Sequence, residues 1–172
     1  MKLNAQELAL GGLFGALALA LPVLFHVVAL AGPVFLPMVL PIAVLACLGT
    51  PRVAAMVGLM VPLLSAALTG MPPLVPPLAP LMGGELLVLG GTVGSLHHRL
   101  RVPVVPALLL GTAASRCALA LELALLGPHI GFSPPLSTYV LGSLITAWPG
   151  LLLQLIVVPA VVRAAREETA LP

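Results

Sequence analysis

Apolar residues in this chain fall in long runs, and the few polar residues stand at the ends of those runs or in short segments between them. A helix needs about 20 apolar residues to cross the hydrocarbon core of a bilayer, and runs of roughly that length recur along the chain. When proline and glycine are taken to mark the ends of the runs, the pattern predicts spans at about 6–24, 34–49, 52–69, 78–97, 103–126 and 136–162. We therefore expect an all-α integral membrane protein, a compact bundle of about six transmembrane helices in a single domain over residues 1–172.

The composition supports a membrane protein, because 60% of the 172 residues are hydrophobic and only 7% are charged. Too few charged side chains remain to cover a soluble globule. Lys2 precedes the first run, which could be read as a signal peptide, but the run is longer than the ~7–15 residues of a signal-peptide core and similar runs follow. We expect it to be retained as the first span.

The second predicted span is short and contains Pro37 and Pro41. Each proline removes a backbone donor, so this span is expected to be distorted and to lie among the other helices. Residues 25–33, 70–77 and 127–135, on one side of the bundle, are rich in proline and glycine and still apolar. They are either stiff segments folded over the mouth of the bundle or ordinary short connections.

The basic residues predict the orientation in the membrane. In a six-span arrangement all of them except one fall on one side, and the loops of the opposite side contain no Lys or Arg; the six are Lys2, Arg52, Arg99, Arg101, Arg163 and Arg166. Because cytoplasmic loops are enriched in Lys and Arg, both termini are predicted to be cytoplasmic. The net charge of +2 is explained by topology, so no nucleic-acid partner is indicated.

Three ionisable residues, Glu85, Arg116 and Glu122, lie inside apolar runs. A charge at bilayer depth costs at least ~2.5 kcal/mol on insertion scales, so such residues are candidates for a functional site. From the helical rise, Glu85 and Glu122 lie roughly 10 Å and 7 Å below the outer edge. Arg116 lies roughly 9 Å deeper than Glu122 and about 240° around the helix from it. Arg116 is therefore expected to pair with Glu85, with an anionic ligand, or with each in turn.

The sixth predicted span carries Tyr139, Ser143 and Thr146 on one helical face. This polar stripe either packs against a neighbouring helix or forms a wall of a ligand site at the level of Glu85. Thr69, next to the segment 70–77, and His129, within 127–135, complete the candidate binding residues, although a lone histidine there is more often an interfacial residue.

Other chemistries are poorly supported by the sequence. Cys47 and Cys117 lie in separate apolar runs, and no HExxH spacing or Cys cluster is present, so neither a metal site nor another cofactor is expected. We expect no enzymatic activity, because no nucleophile with a base within reach is evident. The chain also lacks a GxxxxGK[S/T] loop, so any energy from ATP must come from a partner protein.

Small residues follow one another at four-residue intervals on two predicted spans. The first set is Gly12, Ala16 and Ala20, and the second is Gly90 and Gly94. Such stripes allow another helix to approach closely, either inside the bundle or from a partner subunit.

The segments GPVFLPMVLP (32–41), LGTPRVAAMVGLMVPLLSAALTGMPP (48–73) and PLMGGEL (80–86) resemble the substrate-binding S component of energy-coupling factor (ECF) vitamin transporters. The most specific of these are LSAALTGMPP and GGEL. The resemblance implies a six-helix protein in the cytoplasmic membrane of a prokaryote that captures a vitamin or related micronutrient from outside, near Glu85 and the outer loops. It also implies docking onto a membrane scaffold subunit that carries two ATPase subunits. The docking face would be Gly12, Ala16 and Ala20, where Gly12 stands in place of the usual alanine.

A guanidinium at the floor of the pocket favours a ligand with a carboxylate or phosphate, and pantothenate would fit. Large flat ligands are less favoured, because Trp148 is the only tryptophan.

Two other classes of protein remain open. One is a stand-alone proton-coupled transporter of a small anionic solute that uses Glu85 or Glu122 as a proton relay. The other is a structural membrane subunit in which the three charges are packing pairs.

Overall fold

The computed structural model describes residues 4–27, 32–129 and 131–169, which contain helices and no strand. Five of these helices are long and apolar enough to cross a membrane, as judged by length and composition. The chain is therefore an all-α, multi-pass membrane protein. The helices are α1 (Ala5–Val27), α2 (Gly32–Phe35), α3 (Val39–Leu48), α4 (Pro51–Thr69), α5 (Leu78–His98), α6 (Val104–Leu126), α7 (Leu136–Thr146) and α8 (Trp148–Thr169); α2, α3 and α7 are the short ones.

The region of the second predicted span, 34–49, is distorted as expected. It consists of the end of α2, a break at residues 36–38, and the ten-residue α3. Leu36 in the break has a φ of 49°, a left-handed conformation that a bulky side chain rarely adopts. Seven consecutive residues of α3, from Pro41 to Cys47, are buried, and α3 packs against α1, α4, α5 and α8. This helix is the centre of the core.

The sixth predicted span, 136–162, is not one helix, which corrects the sequence interpretation. It is divided at Ala147 into α7 and α8. Pro149 accounts for the break, because a proline lacks the backbone donor and its ring would clash with the carbonyl of Ile145 in a continuous helix. In place of six similar spans, the described residues form five long helices with the shorter α3 and α7 among them.

Helix α5 is held closely between α4 and α6 by glycines. A Cβ atom at Gly90 would lie 2.6 Å from the carbonyl oxygen of Ala54, and one at Gly58 would lie 2.5 Å from that of Leu86. On the other side of α5, a Cβ atom at Gly111 of α6 would overlap the side chain of Val93. The Gly90 and Gly94 stripe is therefore an internal packing face.

The two ends of the bundle differ in chemistry. Contacts of Gly94 with Pro51, and of His97 with Arg166, bring the start of α4 and the ends of α5 and α8 together. Arg52, Arg99, Arg101, Arg163 and Arg166 occupy these helix ends and the short connection that follows α5. The basic residues of the described chain, apart from Arg116, thus share one end, as the orientation argument requires. Which side of the membrane this end faces stays a prediction, as do the cytoplasmic termini.

Candidate functional site

A cavity of about 920 Å³ opens at the end opposite the basic residues. Its walls come from the end of α1, the break at 36–38, the end of α4, the first half of α5, the middle of α6, and α7 with the residues before it. The distorted and divided regions of the chain are therefore the ones that surround this space.

An ion pair lies in the cavity wall. Nη1 of Arg116 on α6 is 3.1 Å from Oε1 of Glu85 on α5, and the two side chains are only 13% and 14% exposed. The same Nη1 donates to Oγ of Ser143 on α7 at 3.2 Å, and Ser143 in turn donates to the carbonyl of Val140 at 2.8 Å. Arg116 therefore ties three helices together, and of the partners expected for it the structure contains Glu85.

The segment 70–77 folds back toward the cavity. Gly70 caps α4 in the left-handed conformation, with a φ of 73° that favours glycine. The hydroxyl of Ser65 then donates to the carbonyl of Met71 at 2.7 Å, and Thr69 donates to the carbonyl of Ser65 at 2.8 Å. Met71 and Pro72 line the cavity as a result. Of the two alternatives for this segment, a position folded over the mouth agrees with the structure, and its stiffness stays a prediction.

The polar stripe of the sixth predicted span lies on α7 and faces the cavity. Tyr139, Ser143 and Thr146 all line it, together with Thr138. The ring of Tyr139 packs edge-to-face on Phe132, with centroids 5.8 Å apart. Ser143 also contacts a neighbouring helix through Arg116, so the packing alternative holds for that residue, and the role of the stripe as a ligand wall stays a prediction.

Two candidate residues lie outside the cavity. Glu122 faces Gly84 at the α5–α6 contact, where a Cβ atom on Gly84 would overlap its Oε1. Its Oε2 is buried and has no partner among the described residues. His129 is exposed in a turn after α6 and is not among the lining residues. The cavity thus contains six of the eight residues predicted to bind ligand: Thr69, Glu85, Arg116, Tyr139, Ser143 and Thr146.

Sequence reasoning missed several lining residues. Ser65 is one turn from Thr69 on α4, so a search for polar pairs at four-residue spacing would have found it. No such signal marks the three lining methionines, which look like ordinary core residues. They are Met38, Met71 and Met82. Outside the cavity, Gln154 on α8 was also missed; it is buried, and its Nε2 has no partner among the described residues.

The stripe on α1 faces away from the bundle. Gly12, Ala16 and Ala20 are exposed, and a Cβ atom on Gly12 would meet nothing within 4 Å. The adjacent face of α1 contacts the bundle instead, where Gly11 and Gly15 meet valines of α4. Of the two readings of this stripe, packing inside the bundle is therefore wrong.

Comparison of the chain with protein-family models, with curated proteins and with solved structures gives no match. Within the described residues, no group of three or more His, Cys, Asp or Glu side chains could hold a metal ion. The site is thus characterised by its own geometry: an apolar cavity with one ion pair in its wall and a line of hydroxyls on α7.

Proposed function

We propose that this protein is the substrate-binding S component of an ECF-type ABC transporter, which captures a vitamin or related micronutrient from outside. The observation that carries the proposal is the cavity of about 920 Å³ with the Arg116–Glu85 pair in its wall. Its volume lies in the range of small-molecule sites, and its lining is mostly apolar with a few convergent polar groups. A subunit that served only as structure would have no need of such a space.

The partners follow from the same proposal. The exposed stripe of Gly12, Ala16 and Ala20 forms a line of small side chains beside exposed leucines of α1, and another membrane helix can approach it closely. The occupant of this face would be the scaffold subunit, and two cytoplasmic ATPase subunits bound to it would hydrolyse ATP. The setting would be the cytoplasmic membrane of a prokaryote.

Copurification tests the docking step. The protein is coexpressed with a scaffold subunit and two ATPase subunits, and the wild type is expected to purify as a complex that drives ATP-dependent uptake in proteoliposomes. Ala16→Trp places a bulky ring on the stripe, so the complex should be lost while the isolated subunit stays folded. Leu109→Trp is the control, because Leu109 is an exposed apolar residue on α6. Normal complex yield with Ala16→Trp would contradict the docking face.

A proton-coupled secondary transporter is the second candidate, and Glu122 favours it. Its Oε2 is a buried carboxylate oxygen at bilayer depth with no partner in the described part of the chain, and such a group could accept a proton. Such a transporter would move solute into proteoliposomes that contain this chain alone, driven by a pH gradient. An S component would show solute binding under those conditions but no uptake.

A further inference from the structure

The charges around the cavity do not favour a simple anion. Arg116 is already neutralised by Glu85, with which it forms an ion pair in the cavity wall. An anionic ligand that took Arg116 for itself would leave the carboxylate of Glu85 without its partner in a buried site. Removing one partner of a buried ion pair is strongly unfavourable.

Each member of the pair still has unused capacity. The contact joins a single donor, Nη1 of Arg116, to a single acceptor, Oε1 of Glu85. Nε of Arg116 is buried and has no partner within the described residues. A guanidinium binds a carboxylate best through two parallel donors, and a carboxylate can accept several hydrogen bonds. Because Nε is buried while the pair is closed, a ligand carboxylate could take two donors of Arg116 only when the pair opens, and an ammonium would then bind Glu85.

The rest of the wall suits an apolar ligand body. The hydroxyls of Ser65, Thr69 and Ser143 already donate to backbone carbonyls. The other lining hydroxyls all lie on α7, so the polar contacts open to a ligand are confined to one wall: Thr138, Tyr139 and Thr146. Tyr139 is the one aromatic residue among the described lining residues, so a flat ring system would find no stacking pair. Prolines and leucines supply most of the remaining surface, together with three methionines, which adapt to different apolar shapes: Met38, Met71 and Met82.

We propose that the cavity binds a zwitterionic amphiphile, whose carboxylate pairs with Arg116 and whose ammonium pairs with Glu85, with an aliphatic body against the apolar walls. A ligand of this class opens the ion pair and leaves neither buried charge without a partner. The inference rests on the proposed solute-binding role, but it concerns only the binding step and does not depend on the ATPase partners.

Calorimetry on the protein in lipid nanodiscs tests the head group with four probes that share one aliphatic chain: α-aminooctanoic acid, octanoic acid, heptylamine and octanamide. The zwitterion is expected to bind at least about tenfold more tightly than any of the other three, because only it pairs both charges. If octanoic acid or heptylamine binds as tightly as the zwitterion, or if the zwitterion does not bind, the inference is overturned.

Isosteric variants give a second, independent measurement. Glu85→Gln removes the partner of the ammonium, so octanoic acid should become the preferred probe. Arg116→Gln should shift the preference to heptylamine. Glu122→Gln is the control: Glu122 is absent from the lining residues, so the order of the four probes should not change. An unchanged order in both cavity variants would overturn the inference. Loss of ATP-driven uptake with intact zwitterion binding would instead refute the proposed transport function alone.

Discussion

Arg116 and Glu85 form an ion pair in the wall of the cavity of an otherwise apolar protein. Each side chain alone would be an unpaired charge at bilayer depth, and together they form a contact of 3.1 Å that is largely out of solvent. Buried pairs of this kind often add little net stability relative to a well-packed apolar pair. Their presence in the wall of a cavity therefore supports the proposed role in ligand binding.

A double-variant experiment separates these roles. Arg116→Ala leaves Glu85 unpaired, and we expect the free energy of unfolding to fall by about 3–5 kcal/mol. The combined variant Glu85→Leu with Arg116→Met replaces both charges by apolar side chains of similar size and should recover most of the loss. Thermal unfolding of the detergent-solubilised protein is the measurement. A combined variant as unstable as the single one would show that the ion pair itself holds α5 and α6 together.

At the residue scale, depth and helical face made Glu85 one of two predicted partners of Arg116, with an anionic ligand as the other, and the structure contains the pair with Glu85. Depth was not enough for Glu122, which lies at the level of the site but turns toward Gly84 in place of the cavity. The direction of a side chain depends on how a helix is rotated against its neighbours. That rotation is determined by glycine contacts between helices, which hydropathy does not report.

At the element scale, the glycines of α4 and α5 allow these two helices to pack closely. Because α5 carries Glu85, this packing determines where Glu85 lies. Gly90→Ala would place a methyl group 2.6 Å from the backbone oxygen of Ala54, and a backbone atom cannot move aside as a flexible side chain can. We expect a loss of about 1–3 kcal/mol of stability, as for overpacked cores, and weaker ligand binding.

The neighbouring glycine supplies a matched control. A Cβ atom on Gly91 would meet only the Cβ of Ala55 at 3.6 Å, which is an ordinary van der Waals contact. Gly91→Ala should therefore leave the melting temperature close to that of the wild type. Equal melting temperatures for the Gly90 and Gly91 variants would mean that α4 and α5 are not held at the separation described.

Hydropathy predicts the long helices well but not the divided ones. Predicted spans at 52–69 and 78–97 agree closely with α4 (Pro51–Thr69) and α5 (Leu78–His98), because a long apolar run without competing signals has one stable form in lipid. Proline is the source of the errors. Pro62 lies inside α4 without ending it, whereas Pro149 accompanies the break between α7 and α8. Whether neighbouring helices satisfy the freed carbonyl decides the outcome, and a single sequence does not contain that information.

At the scale of the whole molecule, the chain is polarised along the bundle axis. One end carries arginines and the pair His97 and His98, and the other carries the cavity and the proline-rich segment 70–77. Arginine can only donate, so Nε2 of His97 accepts from Arg166, and its Nδ1–H donates to the carbonyl of Val102. The basic end is therefore tied together by its own contacts, independently of the cavity.

This polarity predicts an orientation that cysteine labelling can check. The positive-inside rule places the arginine-rich end in the cytoplasm and the cavity mouth outside. Cys47→Ala with Cys117→Ala provides a background without thiols, into which Val75→Cys and Leu100→Cys are introduced separately; both sites are well exposed, at 91% and 68%. A membrane-impermeant maleimide should label the Val75 variant in intact cells and the Leu100 variant only after permeabilisation. The two positions lie beyond opposite ends of α5, so they report opposite sides of the membrane. The reverse labelling pattern would mean that the cavity mouth faces the cytoplasm. That orientation is incompatible with capture of a ligand from outside.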